Sequence, residues 1–343
     1  MANTKPILEN VTVAPDSAKY KLYRWGDYAE LRCLTHKDKR FSRDNLAEAV
    51  GESKDLNNDG DDNELAPDEF DLEDSALAES LEEEKEPDPD QDETLTANTY
   101  RLLQWRANAF GDDWPFTIDL EGMEIKLRAA LTTKQYLYLQ LLLSALLRYC
   151  PNARRKTYTG TFEDLSFYVF KDLMPQSAEV HQFGVAHSAR YTGKLFNRLT
   201  KLADDVRGTL RLTEHDCPKN DAGDGGLDLV AWHPLGDERD NIPIAFAQCG
   251  CTAEGWPNKM LEASPAKLNR FHVGHPWATY YFMPLDLTQT RGSKMHWAEM
   301  RDINSAIVID RLRIMRLADA QALDSAKVIV REAVDEALEF QLT

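Results

Sequence analysis

Two oxygen-bearing side chains stand at the facing ends of two short apolar runs in this 343-residue chain. Asp228 follows the turn Gly225-Gly226 and opens the run Leu229 to Trp232, and Gln248 lies near the end of the run Ile242 to Cys249. Gly236, Asp237 and Asn241 sit between the runs, so the pattern predicts an antiparallel strand pair. Alternation places Asp228, Val230 and Trp232 on one face, with Leu229 and Ala231 on the other. On the second strand Gln248 shares a face with Gly250, and Cys249 points the opposite way. A carboxylate and an amide oxygen then meet at one end of a hairpin, a pairing that suits a hard divalent cation. The plain alternative is a core hairpin whose acid caps a turn.

The string Gly-Asp-Gly-Gly-Leu-Asp-Leu-Val at 223–230, followed by a strand ending in Gln248-Cys249, resembles the PD-(D/E)XK nuclease superfamily. Its nearest branch is the Mrr-like one, with glutamine at the second-strand acid position. The resemblance implies an α/β fold with a restriction-endonuclease-like core: αβββαβ, a mixed sheet flanked by helices, with helical N-terminal and C-terminal additions. It implies Asp228 as the principal metal ligand and Gln248 as a second, uncharged one. The lysine of the pattern would fall at Gly250, and Lys259, on the following helix, is the migrated replacement that the resemblance points to. Phe162-Glu163-Asp164-Leu165 resembles the setting of a metal-facing glutamate on the first core helix, which makes Glu163 a third ligand. Glu163, Asp228 and Gln248 would hold Mg²⁺, with Mn²⁺ able to substitute, and Lys259 would place the attacking hydroxide.

The implied activity is metal-dependent hydrolysis of DNA phosphodiesters, with RNA as a further substrate class, in a bacterial anti-phage defence or restriction system. A regulatory protein partner or a homo-oligomer is expected with it. The competing expectation is a catalytically inactive nuclease-fold protein that binds nucleic acid or scaffolds a complex, which the glycine at position 250 favours. Two residues carry plainer alternatives of their own. Glu163 would complement the helix dipole if it stood in a first turn, and Asp224, an alternative ligand, more simply shapes its glycine turn.

These side chains need elements to hold them. Thr161 with Asp164 predicts a helix start, followed by Phe162, Leu165, Val169 and Leu173 at helical spacing. Thr209 to Thr213 reads as a strand ahead of the hairpin. Asn258 to Phe271 reads as a helix interrupted by Pro265, and Ala278 to Met283 as a buried strand. Residues 159–283 therefore read helix, strand, strand, strand, helix, strand, the order of the implied nuclease core. Around it lie a small N-terminal ordered unit (1–50), an acidic disordered insert (51–97) and a mostly helical segment (98–158). In that segment Tyr100 to Phe110 is one helix, and Thr132 or Thr133 caps another running to Tyr149. Residues 284–343 add the strand Ala306 to Ile309 and helices over Asp310–Leu317 and Ala320–Leu338, which brace the sheet. Gly193 to Val206 predicts a helix carrying Lys194, Arg198 and Lys201, with Arg207 just beyond; it is either a phosphate-binding face or a solvated one.

Charge is distributed unevenly. The formal net charge is −18, and the stretch Glu52 to Glu93 alone holds 20 acids and 2 bases, leaving 38 of each elsewhere. The remainder is neutral, so a nucleic-acid partner stays open. The acidic stretch cannot bury enough apolar surface to offset its ordering entropy; it is either an ordinary solvated linker or a tethered polyanion that competes with nucleic acid for a basic groove. Asp55 to Asp61 mimics half of an EF-hand loop, but Ala66 stands where a bidentate carboxylate is required. Five scattered cysteines form no disulfide framework and suit a reducing compartment. Cys217, Cys249 and Cys251 with His215 make a weak zinc pattern, because the spacing is Cys-x-Cys. Neither a signal peptide nor a bilayer-length apolar helix is legible, so a soluble cytoplasmic protein without a membrane partner is expected.

Overall fold

The computed structural model describes residues 7–15, 21–58, 89–119, 121–183, 188–217, 225–253, 255–268, 270–291, 294–297, 303 and 305–341. Among them the chain forms a mixed α/β fold with ten helices around a five-stranded sheet. Helix α1 (Leu22–Thr35) leads into β1 (Arg40–Ser42) and α2 (Arg43–Asn58); α3 (Pro89–Phe110) follows. β2 (Phe116–Asp119) and β3 (Glu124–Leu127) complete a small antiparallel sheet with β1. Next come α4 (Thr133–Ala145), α5 (Asn152–Leu173), β4 (Glu179–Gln182), α6 (Leu195–Asp205) and β5 (Thr209–Leu210). The hairpin strands are β6 (Leu229–Trp232) and β7 (Ile244–Cys249), followed by α7 (Trp256–Met260), β8 (Phe271–His272) and β9 (Ala278–Phe282). The chain then runs through β10 (Thr288–Arg291), β11 (Lys294–Trp297), β12 (Ile307–Ile309), α8 (Arg311–Leu317), α9 (Ala320–Ser325) and α10 (Arg331–Glu339).

The large sheet has the order β12-β9-β7-β6-β4. β4, β6 and β7 form an antiparallel meander, and β7, β9 and β12 run parallel. Parallel neighbours need a crossover, which α7 and its flanking turns supply between β7 and β9. The sequence α5, β4, β6, β7, α7, β9 has the expected helix–strand–strand–strand–helix–strand order, but its first strand is not the expected one. Thr209–Leu210 pairs with β8 in a separate two-stranded sheet, and Glu179–Gln182 takes the place in the meander. Glu-Val-His-Gln carries one apolar residue and lies at the sheet edge, so it lacks the alternation that marks a half-buried strand.

Other expected boundaries shift for local reasons. α5 begins at Asn152, so a division at residue 158 cuts through a helix. Asn258 to Phe271 holds no long helix: α7 ends at Met260, and turns lead past Pro265 into β8. The predicted C-terminal helix splits into α9 and α10, with Lys327 in the left-handed region at φ 59°. Both ends of the predicted acidic disordered insert are helical, through Asn58 and from Pro89, while 59–88, with the EF-hand-like loop's second half, lies outside the described residues. Thr132 does cap α4, accepting from Gln135 N at 3.3 Å while Gln135 Oε1 accepts from Thr132 N at 2.9 Å.

One face of the sheet (Leu229, Ala231, Ala245, Ala247, Cys249, Phe282) packs into a core shared with α1, α3, α4 and α5. The other face (Val230, Trp232, Ile244, Phe246) packs on Leu195, Leu199 and Leu202 of α6. α7 joins Tyr281 and Val308 through Trp256 and Met260.

The N-terminal segment is tied to the C-terminal one by buried charge. Arg311 forms a bidentate pair with Asp27, both bonds 2.8 Å. Arg106 contacts Asp27 at 2.8 Å, Glu30 at 3.1 Å and Asp286 at 2.9 Å, and all of these side chains are at most 1% exposed. Trp114 and Tyr138 donate to Glu30. Next to this cluster Asp310 caps α8, accepting from Arg313 N at 3.0 Å. Burial, then the neighbouring Asp286 charge, pushes the Asp310 carboxyl up to about 7. The fold therefore binds the Asp310 proton more tightly than the unfolded chain does, and stability falls as pH rises from about 4 towards 7. Asp310→Asn keeps an N-cap oxygen and should remove a component of up to about 1.4 kcal/mol per pH unit, measured by urea unfolding between pH 5 and 8.

Candidate metal centre

β6 pairs with β7 so that Leu229 faces Ala247; Asp228 stands just before that ladder, and Gln248 is the next residue of β7, beside Tyr281 of β9. Asp228 and Gln248 are buried, at 7% and 3% exposure. The turn before Asp228 demands glycine. Gly225 and Gly226 have φ of 70° and 83°, Arg270 Nη1 donates to Gly225 O at 2.8 Å, and a Cβ on Gly226 would meet Glu262 Cβ at 3.1 Å. Asp228 is then gripped by its backbone, which bonds Ala247 O at 3.1 Å and receives Phe183 N at 2.7 Å. Its carboxylate Oδ2 accepts from Cys249 N at 2.6 Å. The hairpin-capping role of the plainer reading is therefore real, and it also fixes the orientation of the carboxylate.

Glu163 reaches the same end of the sheet from α5. It stands eleven residues after Asn152, so the first-turn dipole role does not apply. Thr161, expected as the cap, instead donates to Tyr158 O at 3.1 Å within the helix. Phe162, Leu165 and Val169 pack into the core as their spacing predicts, and Ser166, one turn beyond Glu163, lies against the Cys249 thiol. Lys259 approaches from α7. A Cβ placed on Gly250 would lie 3.4 Å from Lys259 Cδ, so the stem of Lys259 runs past the position where the pattern's lysine would begin.

The thiols of Cys249 and Cys251 report how these charges converge. Burial, then the Asp228 and Glu163 carboxylates, push the Cys249 thiol well above its ordinary range. The Cys251 thiol is likewise raised by burial; the Lys259 ammonium opposes this, and Glu163 and Asp228 add to it. Three charged groups from three elements thus act on one buried sulfur just past the end of β7. Gln248 Oε1 is buried with no hydrogen-bond partner among the described residues. Glu163 and Lys259 are half-buried and form the more exposed side of the group.

No protein-family model, curated protein or solved structure matches this chain.

Among the described residues no group of three or more His, Cys, Asp or Glu side chains is arranged to hold a metal. Asp224 lies outside the described residues. The basic helix is largely committed to structure. Arg198 is 1% exposed and donates to Phe183 O at 3.1 Å, Lys201 pairs with Asp205 at 3.0 Å, and Arg207 bonds the Pro234 to Arg239 loop. Lys194 is exposed. Tyr281, legible in sequence only as part of the buried strand Ala278 to Met283, stands beside Gln248 in the parallel register and stacks on Trp256 with ring centroids 6.4 Å apart. Among the described residues no helix is long and apolar enough to cross a membrane.

Proposed function

We propose that the protein is a metal-dependent nuclease that hydrolyses DNA phosphodiester bonds. The observation that carries this reading is the buried amide oxygen of Gln248, without a hydrogen-bond partner among the described residues, on the strand whose end also holds the Asp228 carboxylate through Cys249 N and lets the Lys259 stem pass Gly250. An acceptor oxygen buried without a donor costs about 1–3 kcal/mol, and a cation coordinated there would repay it. The strand order supports the reading as well: an antiparallel meander joined through α7 to a parallel strand is the arrangement that the nuclease resemblance implies.

Glu163, Asp228 and Gln248 would hold Mg²⁺, which Mn²⁺ can replace. The ion, when bound, supplies an activated water and charge stabilisation for the leaving oxygen. The chain supplies the rest. Asp228, oriented by its bond to Cys249 N, presents its carboxylate in one fixed direction. Glu163 adds the second negative charge from a rigid helix. Gln248 adds an oxygen without charge, so cation binding is weak until a substrate phosphate contributes another. The Lys259 ammonium steadies the nucleophile or the charge that builds on phosphorus. An anti-phage or restriction role, with a regulating partner or second copy, belongs to the same proposal.

The test is incubation of plasmid DNA, and of RNA in parallel, with Mg²⁺ or Mn²⁺. Cleavage that a chelator stops, and that Glu163→Gln lowers by about 100-fold or more, is the expected result. Retained DNA binding with no cleavage under any metal would establish the second reading, an inactive nuclease-fold scaffold. That reading draws on the engagement of Asp228 with the β7 backbone.

A further inference from the structure

Gly250 stands where the nuclease pattern places a lysine, and its surroundings explain why no side chain fits. A Cβ there would collide with the Tyr281 hydroxyl, lie 3.0 Å from Tyr281 Cζ and touch Lys259 Cδ at 3.4 Å. Tyr281 and the stem of Lys259 therefore press on the same small volume. Tyr281 is fully buried, its ring is stacked on Trp256 of the helix that carries Lys259, and its hydroxyl has no hydrogen-bond partner among the described residues. A phenylalanine would fill this core equally well without burying an unpaired hydroxyl, which costs about 1–3 kcal/mol. Burial also raises the Tyr281 phenol well above its ordinary range, so the group stays protonated and neutral beside the charges of the site.

We propose that Tyr281 is the positioning residue for Lys259: it fills the space a side chain at position 250 would need and holds the lysine stem over the end of β7. The lysine of this site must then come from α7, and Gly250 is a requirement of that arrangement. The assignment rests on the hydrolytic reading of the same site. Tyr281 acts through Lys259, and its loss should be felt only while Lys259 is present.

The experiment compares wild type, Tyr281→Phe, Lys259→Ala and the double variant in Mg²⁺-dependent plasmid cleavage, with Asp228→Asn alongside. Tyr281→Phe should lower kcat about tenfold with little change in KM, and it should add nothing to the loss in Lys259→Ala. In the same proteins the Lys259 amine is labelled at fixed pH with an acylating reagent and read by mass spectrometry. Release of the stem in Tyr281→Phe should change the labelling rate severalfold. Additive kinetic losses or unchanged labelling would overturn the role of Tyr281. Cleavage that persists in Asp228→Asn, or no cleavage by the wild type, would instead overturn the hydrolytic reading, and the labelling ratio alone would then decide whether Tyr281 holds Lys259.

Discussion

Asp228→Asn should abolish metal-dependent cleavage, by about 1,000-fold or more, while leaving the fold almost as stable as the wild type. The two effects separate because the carboxylate does two things. Its oxygen accepts the Cys249 N–H at 2.6 Å, a task an asparagine oxygen can take over, at a difference of about 1 kcal/mol. Its charge is what the asparagine lacks, and a catalytic cation stabilises the transition state by several kcal/mol only when its ligands hold it in place. Asp228→Ala should lose activity equally and also strand the buried N–H of Cys249, at a further cost of about 1–3 kcal/mol. Plasmid cleavage and urea unfolding on both variants check the pair. Equal activity in Asp228→Asn and wild type would reduce Asp228 to a hairpin cap.

Arg106→Met should destabilise the protein by about 3–5 kcal/mol, enough to unfold many domains of this size. Arg106 is fully buried and touches Asp27, Glu30 and Asp286, so its loss takes an arginine from three buried carboxylates, of which Asp27 and Glu30 keep Arg311. Burial already holds the Glu30 carboxyl above its ordinary range, against the pull of Arg106 and Arg311. Without Arg106 the folded state takes up protons that the unfolded chain releases at the same pH. The deficit should therefore shrink as pH falls from 8 towards 5, the sign expected for carboxyls raised in the native state. Denaturant midpoints at the two pH values decide it. A pH-independent loss would mean the arginine acts by packing alone.

The hairpin was readable because each of its strands is buried on both faces and bounded by turn-formers, so composition and punctuation agree. The capping box at Thr132 was readable for a similar reason: its hydrogen bonds join residues three apart. The first strand of the meander was not, since β4 earns its place by pairing with β6 and not through its own side chains. The short α7 was overestimated because the turns after Met260 are built from helix-compatible residues. The function of α1 was invisible in sequence, as the partners of Asp27 and Glu30 lie 76 or more residues away at Arg106 and Arg311.

The same division runs through the candidate site. Residue types and spacing alone put Asp228 and Gln248 at the same end of one hairpin, because strand alternation and a short loop leave few registers open. The chain also shows unaided where its negative charge is concentrated. Only the tertiary structure decided that Glu163 sits in the middle of α5, that three of the basic residues near α6 serve the fold, and that Lys259 and Tyr281 share the space beside Gly250. These are contacts between segments far apart in the chain, and they depend on how helices pack across a sheet, which no local pattern encodes.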